Sequence, residues 1–337
     1  MYPLIRQLLF LLPAELSHEL TFKGLDYASQ LRLLSLFVPK PRRQKCQVMG
    51  LEFDNPVGLA AGLDKNGEHI RALSDVGFGF IEVGTVTPRA QLGNPQPRMF
   101  RLTRSDALIN RMGFNNHGVD ALVKNVQACD YQGVLGINIG KNKDTPLEGA
   151  LDDYLICMKK VYSLASYITI NISSPNTPGL RELQSKSYLM ELLTGLKAKQ
   201  LELLQATGKN TPLVLKVAPD LNEEEVQNMA SAVLESGMDG LITTNTSVDK
   251  SLVAGEKYAD EQGGLSGKPI FDGSLKVQQQ FHRLLKDKVP IIAAGGIDSA
   301  ERAQQRLDHG ASLVQLYTGF IYQGPGLIAE IADQLAG

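Results

Sequence analysis

Eight short apolar runs, each followed in most cases by a longer stretch of helical pattern, predict an α/β chain of the (β/α)8 TIM-barrel class with a small N-terminal helical extension. Three observations carry that expectation: the number of runs, their nearly unbroken hydrophobicity, and the helix signals between them. Parallel strands covered on both faces lose the alternation of a half-exposed strand and read as continuous apolar segments. In order, the runs are "PVGLAAG" (56–62), "FIEVGTV" (80–86), "VLGINIG" (134–140), "YITINIS" (167–173), "PLVLKVAP" (212–219), "GLITTNT" (240–246), "PIIAAGG" (290–296) and "SLVQLYTG" (312–319). A representative connector, "DLNEEEVQNMASAVLESG", places acidic residues in a first helical turn and Gly237 at its end. An open doubly wound sheet is the runner-up, but neither GxGxxG nor GxxxxGK[ST] occurs, and "GINIGKN" lacks both the spacing and the hydroxyl of a phosphate loop.

The first 45 residues differ from the rest. Arg6, Lys23, Arg32, Lys40, Arg42, Arg43 and Lys45 face only Glu15, Glu19 and Asp26, a balance of +4 in a chain whose net charge is -2. Apolar residues recur there at helical spacing (Leu16, Leu20, Tyr27, Leu31, Leu34), and "VPKPRR" then stops any helix. The run Leu8 to Leu12 is far short of the roughly 20 residues that span a bilayer, and no cleavage motif marks a signal peptide. Two readings stay open for residues 1–45: a helical cap on the barrel of residues 46–337, or amphipathic helices on a membrane surface.

Composition narrows the chemistry. With 337 residues, 43% hydrophobic and 21% charged, the chain can bury a large core. Its slightly acidic balance gives no basic surface for nucleic acid. Three scattered cysteines, Cys46, Cys129 and Cys157, point to a reducing compartment rather than to disulfides or structural zinc. His18-Glu19 lacks the second histidine of a zinc-protease helix, so no metal site is expected.

In a barrel of this class the chemistry lies at the C-terminal strand ends. There the sequence places Lys65, Thr85, Asn138, Asn171, Lys216, Thr244, Asn245, Gly295, Gly296, Tyr317 and Thr318. Any one of these residues could simply close a strand. Two lysines and several asparagines in one mouth are costly to bury without a ligand rich in donors and acceptors. The last two loops, "AAGGID" and "YTGF", offer glycine amides beside helix starts, which suits a phosphate, although glycines also serve tight turns. A phosphate-bearing cofactor with a planar ring, such as a flavin, fits this mouth.

On these motifs the chain resembles the quinone-linked (class 2) dihydroorotate dehydrogenases. "NPVGLAAGLDKNGE", "EVGTVTPR", "INRMGFNN", "GINIGKNKDT", "NISSPNTPGLR", "KVAPDL", "TTNT", "GGLSGKP" and "AAGGIDS" occur in order, and the resemblance runs on to "QLYTGFIYQGP". It implies an FMN-containing barrel that oxidises (S)-dihydroorotate to orotate in pyrimidine synthesis and passes electrons to ubiquinone or menaquinone. Carried over by motif, FMN is held by Ala61, Gly62, Leu63, Asp64 and Lys65, with Thr85, Asn138 and Asn171 around the ring and Lys216 at one edge. Thr244 and Gly267 complete the contacts, and Gly296, Tyr317 and Thr318 take the phosphate end. Substrate falls to Lys65, Asn110, Arg111, Met112, Gly113, Phe114, Asn115, Asn171, Asn176, Asn245 and Thr246, since asparagine supplies a donor and an acceptor on one side chain.

The same resemblance makes Ser174 the catalytic base and Thr177 a relay member, under a lid stiffened by Pro175, Pro178 and Gly179. Soluble class 1 relatives carry cysteine at the base position, so the serine agrees with the quinone-linked subclass. In that subclass the N-terminal helices form a quinone tunnel, which favours the membrane reading and implicates His18, Arg101 and Tyr317. A peripheral monomer at the cytoplasmic face of a bacterial inner membrane is expected. Two rival readings remain for the residues themselves: a Schiff-base lyase using Lys65 or Lys216, and a phosphate-ligand binding barrel without turnover.

Overall fold

All eight apolar runs form strands, because residues hydrophobic on both faces find cover only between neighbouring strands and an outer layer of helices. The computed structural model describes residues 2–177 and 179–336. Three helices lead, α1 (Tyr2–Phe10), α2 (Ala14–Gln30) and α3 (Leu34–Phe37), followed by a hairpin of β1 (Cys46–Val48) and β2 (Leu51–Phe53). Next come β3 (Val57–Leu59), α4 (Ile70–Asp75), β4 (Phe80–Val86), the pair β5 (Met99–Leu102) and β6 (Ala107–Asn110), and α5 (Val119–Cys129). The regular alternation then resumes with β7 (Val134–Ile139), α6 (Ala150–Val161), β8 (Tyr167–Asn171), α7 (Lys186–Thr207), β9 (Leu213–Val217), α8 (Glu223–Ser236) and β10 (Gly240–Thr243). After β11 (Gly264–Gly267), the chain ends with α9 (Phe271–Leu285), β12 (Ile291–Ala294), α10 (Ala300–Asp308), β13 (Ala311–Leu316), α11 (Thr318–Gln323) and α12 (Gly326–Leu335).

The strands β3, β4, β7, β8, β9, β10, β12 and β13 close in sequence order into a parallel barrel. Register brings Gly84 opposite Asn138 and Asn171 opposite Lys216, so the predicted strand-end residues share one rim. The helix α8 has the expected signals: Asn222 and Glu225 form a reciprocal capping box, and Gly237 ends it with φ 72°.

Two elements escaped sequence reading. The β1–β2 hairpin plugs the bottom of the barrel, where Phe53 meets Phe80 edge-on at 5.2 Å among Val134, Tyr167, Val214, Ile242, Ile292 and Leu313. An antiparallel sheet, β11-β6-β5, stands beside the opposite mouth on its own core of Phe100, Leu102, Ile109 and Leu265. It brings Asn110 and Gly267 to the site.

Of the two readings left open for the N-terminal stripe, packing on the barrel is not what the structure shows. Leu16, Leu20, Tyr27 and Leu31 do not pack on the barrel; they are 42%, 45%, 69% and 67% exposed, and only Leu34 of that set is buried. The helix α2 docks instead through Ser17, Phe22 and Ser29. Phe22 stacks on His69 at 4.3 Å, His69 Nδ1 lies 2.8 Å from Asp26 Oδ2, and Ser29 donates to Asp75. Phe22, with Leu25 and Ala28, packs on the core beside these polar contacts, and the leucine stripe stays exposed. Among the described residues no helix is long and apolar enough to cross a membrane.

Candidate active site

The C-terminal rim of the barrel encloses a cavity at the strand ends, the usual place for a ligand in this architecture. Ala61, Gly62, Lys65, Thr85, Asn171, Lys216, Thr244, Tyr317 and Thr318 line it from the strand ends and the loops that follow them. Asn110, Met112, Gly113 and Phe114 enter from the β6 excursion, and Ser174, Asn176, Asn245, Thr246 and Gly267 complete the wall.

A buried polar network sets the direction of each amide. Glu82, fully buried inside the barrel, accepts from Asn138 Nδ2 at 2.8 Å, Tyr167 Oη at 2.9 Å and Gln315 Nε2 at 2.8 Å. Because a carboxylate facing three donors acts as acceptor, Asn138 must turn its Oδ1 outward. That oxygen accepts from Thr85 Oγ1 at 2.5 Å and from Asn171 Nδ2 at 3.2 Å. Asn171 Oδ1 in turn faces Ser173 and Asn245 Nδ2, the latter at 3.3 Å. Each amide orientation therefore follows from the one beneath it.

Two lysines in the wall have no hydrogen-bonding or ion-pair partner among the described residues. Burial lowers the pKa of Lys216, with Glu82 opposing the shift. Burial lowers Lys65 to about 8, helped by Arg98 and opposed by Glu15 and Asp64. Desolvated ammonium groups without partners are costly, so a cavity built around them suits a ligand carrying negative charge or electron-rich oxygens. On the far side, the amides of Gly296 and Ile297 also lack acceptors among the described residues. These donors match a flavin carrying a phosphate.

The structure separates the two candidate serines. Ser173 is turned into the asparagine network, bonded to Asn171 Oδ1 at 3.2 Å and to Asn245 Nδ2 at 2.9 Å. Ser174 faces the cavity, and its Oγ accepts only the Asn176 amide at 3.3 Å. Asn176 Nδ2 reaches Asn110 Oδ1 at 3.2 Å. Arg181 ties down the loop by donating to Ser173 O, Asp220 and Thr246 O. Pro175 lies over Gly264, and Gly179 turns with φ 69°; Pro178 lies outside the described residues.

A second cavity opens between the N-terminal helices and the barrel. His18, Arg101 and Tyr317 line it, as expected, with Tyr2, Phe10, Phe22, Leu108 and Phe320. Burial, Lys65 and His69 lower the pKa of His18 to about 3, so its imidazole is neutral at physiological pH. Arg101 is partly committed to structure: it donates to Leu12 O at 2.7 Å and Ser17 Oγ at 2.8 Å and lies over the Phe10 ring. Tyr317 alone belongs to both cavities.

Several predicted residues lie off the first cavity. Leu63 lines the second one. The Asp64 carboxylate accepts the Glu68 and His69 amides and so shapes the loop rather than facing a ligand. Arg111 points away to Glu261 and Pro97 O, over the ring of Phe100. Asn138 sits one layer behind the wall, and Gly296 is turned against Phe271 while Gly295 and Ile297 face the cavity. Thr177 and Asn115 are outside the lining, each with a buried oxygen that has no partner among the described residues. Sequence reasoning missed Glu82, Ser266, which bonds Thr318 Oγ1 at 2.8 Å, and Ser274, 2.9 Å from Thr244 Oγ1. Nothing local in the sequence marks them, because their roles depend on strands far apart in the chain.

Comparison with known proteins agrees with this geometry. Residues 43–337 match the family model described as Dihydroorotate dehydrogenase. A Paraburkholderia phymatum protein named Dihydroorotate dehydrogenase (quinone) is 56% identical over 336 residues, covering 100% of this chain and 98% of its own. A Stutzerimonas stutzeri protein of the same name is 54% identical with the same coverage. Among solved structures, the DHODH of Eimeria tenella in complex with ferulenol superposes with a TM-score of 0.86 at 38% identity, over 95% of this chain and 90% of that one. A barrel with this rim, matched along its whole length at such identity, belongs to the dihydroorotate dehydrogenase family, in its quinone-dependent branch.

Proposed function

We propose that the chain oxidises dihydroorotate to orotate with flavin mononucleotide as its cofactor, Ser174 as the base, and a quinone as acceptor reached through the second cavity. A flavin held by the wall of Lys65, Thr85, Asn171, Lys216, Thr244 and Thr318 would supply the acceptor for the hydride from C6 of dihydroorotate and the route for electrons to a quinone. The chain's own residues do the rest. Lys65 meets the substrate carboxylate, and the amides of Asn110, Asn176 and Asn245 match the donors and acceptors of a cyclic diamide. Ser174 Oγ takes the proton from C5 as its own hydroxyl proton is released toward solvent, and it is free to face the substrate because Ser173 carries the structural bonds. Lys216 keeps a buried cation at the wall, where it stabilises electron density on a bound ring. Thr177, three residues on from Ser174 and buried with a hydroxyl that has no partner among the described residues, is our candidate for carrying that proton onward.

The second cavity supports the quinone step. Its neutral His18 and apolar lining suit an uncharged ring and tail, and Tyr317 separates it from the first cavity. Residues 1–45 then form a unit apart from the catalytic barrel of 46–337, and its exposed leucines and basic residues seat it on a membrane surface. The relatives are bacterial, and our reading sets this at the cytoplasmic face of an inner membrane.

The observation that carries the reading is Ser174 facing a cavity whose two lysines lack partners. Ser174→Ala should slow anaerobic flavin reduction by dihydroorotate by about 10²- to 10⁴-fold at unchanged flavin content, while Ser174→Cys keeps part of the rate. Stopped-flow absorbance measures this, and wild-type rates in the alanine variant would remove the assignment.

A further inference from the structure

The wall formed by the loops after β12 and β13, Gly295, Ile297, Thr318 and Gly319, carries no lysine or arginine side chain, although it is where a phosphate dianion is expected. Two cations lie directly behind it. Arg302 and Arg306, one turn apart on α10, clasp the Phe271 ring with their guanidinium carbons 4.6 and 4.8 Å from its centroid. Arg306 is fully buried, and its Nη2 donates to Gly295 O at 2.6 Å. Arg302 Nη1 donates to Gly296 O at 3.1 Å and to Asp298 Oδ1 at 3.1 Å.

These two bonds determine where the next amides point. In a trans peptide unit the C=O and the following N–H point in opposite directions. Neither peptide is cis here. Holding the Gly295 and Gly296 carbonyls on the arginine side therefore aims the amides of Gly296 and Ile297 away from the arginines, on the side where Gly295 and Ile297 line the cavity, and neither has an acceptor among the described residues. Gly295 and Gly296 adopt φ of 112° and 73°, which only glycine takes without strain, so the turn is built to be held in this way.

Charge adds to direction. Arg306 has Gln278 Oε1 and two carbonyls as acceptors and no carboxylate, and its Nε is unpaired among the described residues. Burial and neighbouring Arg302 lower its pKa to about 9, with Asp272 opposing, so it is cationic at neutral pH. A buried cation without a carboxylate to bond is costly, and the cost falls when an anion is seated nearby.

We propose that Arg302 and Arg306 are positioning residues that select a phosphorylated flavin over an unphosphorylated one, by aiming the Gly296 and Ile297 amides and supplying positive charge from behind the wall. The proposal rests on reading the cavity as a flavin mononucleotide site. The test is exchange on purified holoprotein. It is incubated with rising riboflavin, desalted, and its bound FMN and riboflavin are separated and quantified. Wild type should keep FMN against a large riboflavin excess. In Arg306→Met the exchange ratio should move toward riboflavin by about tenfold to hundredfold, the usual scale for losing charged hydrogen bonds, and Arg302→Lys should restore much of what Arg302→Met loses. If Arg306→Met yields too little folded protein, the less buried Arg302→Met must show a shift of the same sign. An unchanged ratio in both methionine variants, or equal weakening of both flavins, overturns the arginine proposal and leaves the cofactor reading intact. Wild type with no preference for FMN overturns the cofactor reading and the proposal with it.

Discussion

Lys65 shows how far one residue's environment sets behaviour. Burial and Arg98 bring its pKa down to about 8, so it is mainly charged below that pH and mainly neutral above it. A bound carboxylate favours the charged form, and binding above pH 8 must therefore be accompanied by proton uptake. The KM for dihydroorotate should be flat below about pH 8 and then rise by up to about tenfold per pH unit, with kcat little changed because bound substrate raises the lysine pKa again. Steady-state kinetics across that range checks this, with Lys65→Met expected to have a high KM that no longer rises there. A flat wild-type KM well above pH 8 would exclude Lys65 from carboxylate binding. The lysine itself was legible from its position after the first strand. The division of labour between Ser173 and Ser174 was not, because both lie in one motif and only the bonds from Asn171 and Asn245 separate them. Glu82 was hidden for a similar reason: within "FIEVGTV" it reads as a polar interruption, and its three donors come from three other strands.

At the scale of elements, the strands were readable because parallel pairing between helices demands unbroken hydrophobicity, a local signal. The β1–β2 hairpin and the β11-β6-β5 sheet were not, since segments of three or four residues carry little periodicity and β11 joins its partners across more than a hundred residues. The N-terminal helices gave the right pattern without fixing its partner. Their stripe was equally suited to a barrel or a lipid surface, and the structure leaves it open: Leu8, Leu11 and Leu36 are 69%, 81% and 72% exposed. Replacing two of them, as in Leu8→Ser with Leu11→Ser, should weaken binding to anionic phospholipid vesicles by at least about tenfold, since each seated leucine contributes on the order of 1.5–3 kcal/mol. Co-sedimentation measures the binding. Thermal denaturation should show almost no change, because these side chains have little to lose on unfolding. A fall of many degrees with unaltered vesicle binding would make this face part of the fold's own packing.

At the scale of the whole molecule, the charge division between the first 45 residues and the remainder was visible in the sequence. The arrangement of two cavities sharing one tyrosine was implied by the family resemblance alone, because it depends on how α1 and α2 cross the β5 strand and the α11 turn. Tyr2 Oη donates to Ile321 O at 2.5 Å and Arg6 Nη1 to Tyr322 O at 2.6 Å, and these bonds fix the outer wall of the second cavity without touching the first. Such a layout separates the two half-reactions in space, so blocking one cavity should leave the other working. Ala14, the first residue of α2, lines the second cavity and not the first. A phenyl ring placed there by Ala14→Phe occupies space that a quinone ring would need. Flavin reduction by dihydroorotate should then proceed at close to the wild-type rate in stopped flow, whereas steady-state turnover with quinone should fall by at least about tenfold, the cost expected when bulk is forced into a formed site. Loss of both rates in equal measure would show that the cavities communicate through the helices; loss of neither would mean that the acceptor reaches the barrel by another route.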